Sequence, residues 1–126
     1  MCRGCLADYA RWRYATKDSV RDQQREWSRK TYQNLKALVI DAYGGECACC
    51  KETEPRFLTI DHVKGNGADR RRDGEGLGGA LYLYLKRHDF PKDGYQLLCY
   101  NCNCSKQQYG TCPHELARQQ HCVLAA

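Results

Sequence analysis

The pattern of apolar and polar positions predicts a long helix at the start of the chain. Residues 6–43 contain no Gly and no Pro, which suits one helix of about ten turns or two helices with a bend. The end of this segment carries an apolar stripe suited to docking on a core: Leu35, Leu38, Val39, Ala42 and Tyr43. Gly44 and Gly45 then predict the end of the helix.

The remainder of the chain predicts short helices and strands, so the expected fold class is α+β. The elements are, in order, a strand at 57–62, a flexible glycine-rich loop at 65–79, a helix at 80–88, a strand at 95–98, a helix ending near Tyr109 and a last short helix after Pro113. β-Branched Thr59 and Ile60 favour the first strand. Leu81, Leu85 and Tyr84 are the expected inward side chains of the 80–88 helix.

The earlier part of the long helix is basic rather than apolar. Residues 1–45 hold nine Lys/Arg against five Asp/Glu, whereas the rest of the chain holds eleven against ten. This imbalance suits a polyanionic partner, and the candidate phosphate contacts are Arg21, Arg25, Arg29 and Lys30. A helix so poor in apolar side chains needs either DNA phosphates or a second chain, and a homodimer through this helix is one expectation. A projecting, solvated helix is the competing interpretation.

Ten cysteines in 126 residues require a chemical explanation. The first residues lack the apolar segment of a secretion signal, so we expect reduced thiols and a cytoplasmic location. No apolar run reaches the roughly 20 residues of a membrane helix, so no membrane partner is expected. The C-x-x-C pairs Cys47/Cys50 and Cys99/Cys102 can close on one tetrahedral Zn²⁺, a structural site without an open position for water. Cys49 is a spare thiol in this scheme.

Closing such a zinc site also brings a polar group together. Asp61 and His62 stand at the end of a predicted strand, and Asn103 directly follows the zinc ligand Cys102. An Asp, a His and an Asn in one place are typical of a divalent-metal site with a general base. The basic triplet 70–72 (Arg70, Arg71 and Arg72) lies in the glycine-rich loop and is a candidate phosphate contact beside them. Solvated surface charge is the competing explanation of that triplet.

The motif order C-x-x-C, Asp-His, C-x-x-C-Asn-x-x-Lys resembles the HNH (ββα-metal, or His-Me finger) nuclease superfamily. The similarity is greatest to small phage-type members and to the zinc-bearing branch that contains recombination endonuclease VII, and it covers about residues 36–114. It implies a zinc-stapled ββα-metal nuclease domain at 36–126, preceded by a Cys pair and a basic helical arm at 1–35. The middle Asn of the family has no counterpart, because its usual place holds Gly94 beside Asp93. A less rigid loop is the implied consequence.

The resemblance also implies an activity, a metal-dependent DNA endonuclease or nickase. In this interpretation Asp61 and Asn103 bind one hydrated Mg²⁺ or Mn²⁺ through oxygen, and His62 takes a proton from the attacking water. Lys106 lies over the scissile phosphate. Products with 5′-phosphate and 3′-hydroxyl ends follow, and the expected partner is double-stranded or branched DNA in a bacterial or phage-infected cell.

Two other functions explain part of the same pattern. A zinc-ribbon DNA-binding module without catalysis accounts for the cysteines and the charge, but gives Asp61, His62 and Asn103 no reason to coexist. The second alternative function is that of a zinc-stabilised adaptor in a larger DNA-processing complex. Cleavage of supercoiled plasmid with Mg²⁺ or Mn²⁺ separates the enzyme from both.

A third C-x-x-C pair, Cys2 and Cys5, stands at the start of the chain. Phage proteins of the resembled family often carry an N-terminal zinc knuckle made of two such pairs, whereas here the second pair alone is present. One interpretation is a second zinc site completed by Cys112 and His114, or by the His-Cys pair at 121–122. The other interpretation is a pair of free thiols.

Overall fold

The structure is a computed structural model that describes residues 2–125, and it confirms the α+β class with mostly helical structure and one two-stranded sheet. Its elements are α1 (Arg3–Ala42), a 3₁₀ turn (Pro55–Phe57), β1 (Leu58–His62), α2 (Gly67–Arg72), α3 (Gly79–Arg87), β2 (Tyr95–Cys99), α4 (Tyr100–Tyr109) and α5 (Pro113–Leu124). Within the described range, no helix is both long enough and apolar enough to cross a membrane.

Residue contacts divide the chain into two units, of which one ends at Asn34 and the other begins at Leu35. In the first unit the helix runs without interruption from Arg3, so the single-helix form of the prediction is the one found. None of residues 2–34 is buried, and even Trp12 and Trp27 are 63% and 67% exposed. This unit therefore lacks a core among its described residues.

The last turns of α1 belong to the second unit and contribute to its core. Val39 and Ile40 are buried there. Leu38, which the sequence pattern places on the docking stripe, is 47% exposed, so that prediction is wrong. Ile40, which the predicted stripe does not include, lies on the buried side of the helix instead. The helix ends as predicted, with Gly45 at positive φ and its N–H donating to the Ile40 carbonyl at 2.9 Å.

The two strands form an antiparallel pair around which this core is built. Leu58 lies opposite Cys99 at one end of the ladder, and His62 lies opposite Tyr95 at the other. The buried cluster draws on α1, both strands, α3 and several thiols: Val39, Ile40, Cys47, Leu58, Ile60, Leu81, Tyr82, Leu85, Tyr95, Leu97, Leu98, Cys99, Cys102 and Cys112. A core so small and so rich in cysteine is typical of domains that need a metal for stability.

The chain between the strands is more ordered than the glycine pattern predicts. Within the expected flexible loop at 65–79, the short helix α2 forms, and the Arg70 N–H donates to the Asn66 carbonyl at 3.1 Å. The prediction missed this helix because its stabilisation comes from outside it. The Arg70 guanidinium binds Glu75 and Tyr95, the latter on the second strand.

Candidate metal centre and active site

The four thiols of the two central C-x-x-C pairs come together in the second unit. The Sγ atoms of Cys47, Cys50, Cys99 and Cys102 all lie within 4.8 Å of one another, and those of Cys50 and Cys99 are 3.6 Å apart. We call these four residues the first cysteine group. It could hold a metal ion such as zinc, which favours four sulfur ligands in a tetrahedron.

Two tight turns hold these thiols in place. The Cys47 N–H donates to the Glu52 carbonyl at 2.8 Å, and the Lys51 N–H donates to the Cys47 carbonyl at 3.0 Å. Cys99 caps α4, because its Sγ accepts a hydrogen bond from the Cys102 N–H at 3.4 Å. One pair thus precedes β1 and the other joins β2 to α4, so the group ties together both strands.

The thiols differ in how readily they ionise. Burial raises the pKa of Cys47, but backbone N–H groups of Cys50, Cys99 and Cys49 outweigh it and bring the pKa down to about 7. Burial raises the pKa of Cys102, and the neighbouring thiols of Cys99 and Cys112 act in the same direction. A bound cation would stabilise the thiolate form of both, because metal ligation displaces the thiol proton.

A second set of metal-ligand side chains lies against the first. Cys49, Cys102, Cys112 and His114 place their ligand atoms within 4.8 Å of one another, and we call them the second cysteine group. Cys49, the spare thiol of the sequence interpretation, is thus half-buried beside other ligands.

The N-terminal pair lies elsewhere. Cys2 and Cys5 are exposed in the first unit, with their Sγ atoms 3.0 Å apart. Their predicted partners Cys112 and His114 belong to the second unit, so the predicted four-residue set is not gathered within either unit.

A pocket of about 470 Å³ opens beside the end of β1, and it collects the predicted catalytic side chains. Asp61, His62, Asn103 and Lys106 all line it, together with Arg71 from α2. The pairing of β1 with β2, which leads directly into α4, places these residues side by side. A pocket with two amide or carboxylate groups, a histidine and two cations can bind a phosphodiester and an oxygen-preferring metal ion.

Asp61 is the buried acid of this pocket, with 6% of its surface exposed. Its Oδ2 accepts a hydrogen bond from Gln96 Nε2 at 2.7 Å and forms an ion pair with Lys106 Nζ. Lys106 Nζ also donates to the carbonyl oxygens of His62 at 3.0 Å and Val63 at 3.1 Å. Lys106 therefore fixes the carboxylate against the end of the strand, a contact that the sequence did not predict.

His62 is oriented by a carboxylate that the sequence interpretation missed. Its Nε2 lies 2.8 Å from Oε2 of Glu75, which is only 5% exposed. Burial raises the pKa of Glu75, but hydrogen bonds from Tyr95 and His62 and the Arg70 charge lower it overall. An ionised carboxylate only accepts, so the proton of a neutral His62 ring sits on Nε2 and leaves Nδ1 as the basic nitrogen.

Gly67 keeps the other side of this ring open. A Cβ built at that position would lie 2.9 Å from Nδ1 of His62, a distance that requires something to shift. A side chain there would crowd the nitrogen that Glu75 leaves available. Glycine at the start of α2 thus allows the helix to pass close to His62.

The basic triplet divides into three environments. Arg70 turns inward, and its Nη1 donates to Glu75 Oε1 and to the Tyr95 hydroxyl, at 2.6 Å each. Arg71 stays at the pocket, with Nε donating to the Gly67 carbonyl at 3.1 Å. Arg72 is exposed and pairs with Asp69 at 3.6 Å. Of the three, Arg71 is the one at the pocket.

The basic side chains of the first unit are exposed and paired along the helix. Arg21 pairs with Asp18 at 3.2 Å and Arg25 with Asp22 at 3.5 Å; Arg29 and Lys30 both reach Glu26, at 2.5 and 3.6 Å. Exposed pairs of this kind contribute little to stability.

Glu75 and Cys49 carried weak sequence signals. Glu75 stands between Gly74 and Gly76, a context typical of exposed turns. Cys49 lies inside the first C-x-x-C pair, where a second ligand set is not expected. Their roles depend on partners distant in sequence, which local patterns do not reveal.

Comparisons with protein-family models, with curated proteins and with solved structures gave no match. The resemblance to HNH nucleases therefore rests on the motif residues of this chain alone.

Proposed function

We propose that this protein is a metal-dependent DNA endonuclease or nickase of the HNH type, with β1, β2 and α4 as its ββα-metal core. The observation that carries the proposal is that Asp61, His62, Asn103 and Lys106 line one and the same pocket. In the chain these residues lie on β1 and α4, at the positions that the family motif assigns to catalysis. The first cysteine group would hold a structural zinc ion.

His62 acts as the general base in this proposal. Glu75 holds the proton on Nε2, so Nδ1 is free to take a proton from the attacking water. The resulting imidazolium is stabilised by the Glu75 carboxylate at 2.8 Å, as an orienting acid does beside a catalytic histidine. Arg70 and the Tyr95 hydroxyl keep Glu75 ionised and in position.

Asp61 and Asn103 would hold the catalytic Mg²⁺ or Mn²⁺, because carboxylate and amide oxygens suit hard cations. Such an ion, when bound, offsets the negative charge that develops on the leaving 3′ oxygen. Gln96 and Lys106 both donate hydrogen bonds to the same oxygen of Asp61, Oδ2. Asn103 Oδ1 accepts from Gln107 Nε2 at 3.0 Å, which orients the amide on α4.

DNA is the substrate that fits the charge around the pocket. Arg71 and Lys106 bring two cations to its lining, and the exposed Arg72 lies on the same short helix as Arg71. Cations placed this way bind phosphate oxygens and carry no base information. These side chains could therefore bind the phosphate backbone of duplex or branched DNA at the pocket.

The direct test is cleavage of supercoiled plasmid by zinc-loaded protein. Nicked or linear DNA should appear when Mg²⁺ or Mn²⁺ is added, and should be absent when both are omitted. DNA ligase should reseal the nicks without prior phosphorylation, because the ends carry 5′-phosphate and 3′-hydroxyl. Retardation of the plasmid on a gel without any cleavage would contradict the proposal.

A non-catalytic, zinc-stabilised DNA-binding protein or adaptor is the second candidate. The Lys106–Asp61 ion pair favours it, because that contact occupies both a proposed metal ligand and a proposed phosphate contact. In this alternative, Asp61 and Lys106 brace the strand end and the pocket performs no chemistry. The plasmid assay separates the two functions.

The basic residues of the first unit provide a further prediction. If Arg21 and Arg25 contact phosphates, changing both to Gln should reduce the slope of log affinity against log salt by about 0.9 per lost contact. Titrations of a labelled DNA duplex at several salt concentrations measure this slope. The matched control changes Lys86 and Arg87, two exposed cations at the end of α3, to Gln. An unchanged slope in the first variant would leave the proposed phosphate contacts, which also include Arg29 and Lys30, without support.

A further inference from the structure

The two cysteine groups share one residue. Cys47, Cys50 and Cys99 belong to the first group alone, and Cys49, Cys112 and His114 belong to the second alone. Among the residues that the structure describes, Cys102 is the member of both groups, and its surface is fully buried. Six other ligand side chains thus surround the central sulfur of Cys102.

The ligand spacings within both groups suit tetrahedral zinc. With a Zn–S bond of about 2.3 Å and a Zn–N bond of about 2.0 Å, neighbouring sulfurs lie about 3.8 Å apart and a sulfur and a nitrogen about 3.5 Å apart. The Sγ atoms of Cys50 and Cys99 are separated by 3.6 Å. His114 Nδ1 lies 3.5 Å from Cys102 Sγ and 3.3 Å from Cys112 Sγ. The second group is therefore arranged as tightly as the first.

Local structure directs the second group toward the shared sulfur. Cys112 is the N-cap residue of α5, yet its side chain makes no capping hydrogen bond to the helix. Its buried Sγ contacts His114 in the first turn of the same helix instead. A hydrogen bond between Cys112 and His114 would explain the contact of these two residues. It would not explain why Cys49 and Cys102 also lie within 4.8 Å of both.

A positive charge lies beside the same cluster. Arg118 on α5 donates to the Cys49 carbonyl at 2.6 Å, and its second terminal nitrogen lies 3.6 Å from Cys49 Sγ. Two zinc ions with six thiolates and one neutral histidine carry excess negative charge. A guanidinium in contact with one of these sulfurs offsets part of it.

We propose that the cluster holds two zinc ions bridged by the Cys102 thiolate. One ion is bound by Cys47, Cys50, Cys99 and Cys102, and the other by Cys102, Cys49, Cys112 and His114. The inference rests on the structural zinc of the proposed function and adds a second ion to it. The second ion joins α5 to α4 and to the turn that carries Cys49, whereas the first ion has no ligand on α5. In this arrangement Cys112 and His114 are not ligands of a site with Cys2 and Cys5.

Metal content provides the first part of the test. Purified wild-type protein should contain about two zinc ions per chain, as two complete tetrahedral ligand sets require. The double variant Cys112→Ser/His114→Ala should retain one, because the first group stays complete. Cys104→Ser and Cys122→Ser, which change exposed cysteines outside both groups, should retain two. Wild-type protein with a single zinc ion would overturn the inference.

The bridge itself is tested with ¹¹³Cd in place of zinc. Wild-type protein should give two ¹¹³Cd resonances that split each other, because a shared sulfur carries scalar coupling between the two ions. Two resonances without mutual splitting, or the loss of one resonance in Cys2→Ser/Cys5→Ser, would assign the second ion to a separate site and overturn the bridge. The splitting is measured on wild-type protein, so this part of the test does not depend on whether a variant folds.

Plasmid cleavage measured on the same samples keeps this inference distinct from the proposed function. Two bridged ions in a protein that never cleaves DNA would support the cluster and contradict the nuclease. A single ion in a protein that cleaves DNA would contradict the two-zinc cluster and support the nuclease.

Discussion

Cys99→Ser is expected to unfold the second unit. Cys99 ends β2, caps α4 and supplies one sulfur of the first cysteine group, so its loss affects the sheet, the helix and the metal together. Structural zinc supplies folding free energy on the order of 10 kcal/mol, which equals the whole stability of a typical domain. A core in which four of the buried residues are cysteines offers little apolar burial to replace it.

Hydrogen exchange at the strand amides is the appropriate measurement. Most of helix α1 lies in the first unit, outside the core that Cys99 helps to hold, so total helicity in circular dichroism is a poor indicator of unfolding of the second unit. Protection of the Ile60 and Leu97 amides should disappear in Cys99→Ser and in wild-type protein stripped by a strong chelator. Cys104→Ser, an exposed thiol on α4, is the matched control and should keep this protection. Protected strand amides in a metal-free protein would contradict the structural role of the metal.

His62→Ala is expected to lower the cleavage rate by about 10²- to 10⁴-fold, the usual contribution of a general base. The fold and the zinc content should be unchanged, because Glu75 keeps its contacts with Arg70 and Tyr95. Single-turnover cleavage of plasmid DNA measures the rate, and DNA affinity should change little. His88→Ala is the matched control, because this histidine stacks on Tyr84 at the end of α3, away from the pocket lining.

Metal dependence distinguishes this base from the proposed metal ligands. Raising Mg²⁺ or Mn²⁺ should restore part of the activity in Asp61→Ala or Asn103→Ala, because those changes weaken ion binding. The same increase should leave the low cleavage rate of His62→Ala unchanged. Glu75→Gln should lower the cleavage rate, because a neutral amide does not stabilise the imidazolium that forms when His62 takes a proton. Full activity in His62→Ala would show that the Asp61–His62 pair is structural and that the nuclease proposal is wrong.

The sequence predicted features that depend on local pattern. The spacing of Cys47, Cys50, Cys99 and Cys102 placed four thiols together, and the strand at 57–62 was found within one residue of its predicted start. Two C-x-x-C turns and a β-branched segment are local features, so their signals survive without tertiary information. The long helix was predicted in the same way, from the absence of Gly and Pro.

Features that depend on distant partners were missed. Glu75 looks like a residue of a glycine-rich turn, and only Arg70 and Tyr95 make it a buried acid. Helix α2 forms because Arg70 is anchored outside it. Leu38 fits the helical stripe, but the orientation of α1 on its core is set by the shape of that core.

Ties at Cys47–Cys50 and Cys99–Cys102 make the chain between them a closed loop when metal is bound. The entropy of closing a loop depends only logarithmically on its length, and doubling a flexible loop costs about 0.6 kcal/mol. Segments between the strands that carry Arg71 and the pocket rim can therefore change length at little cost to stability. Insertions at exposed positions there would alter the rim of the pocket while the metal ligands, β1, β2 and α4 stay the same. The metal ligands lie at the two ends of this loop, so the pocket rim can differ in length without a change in those ligands.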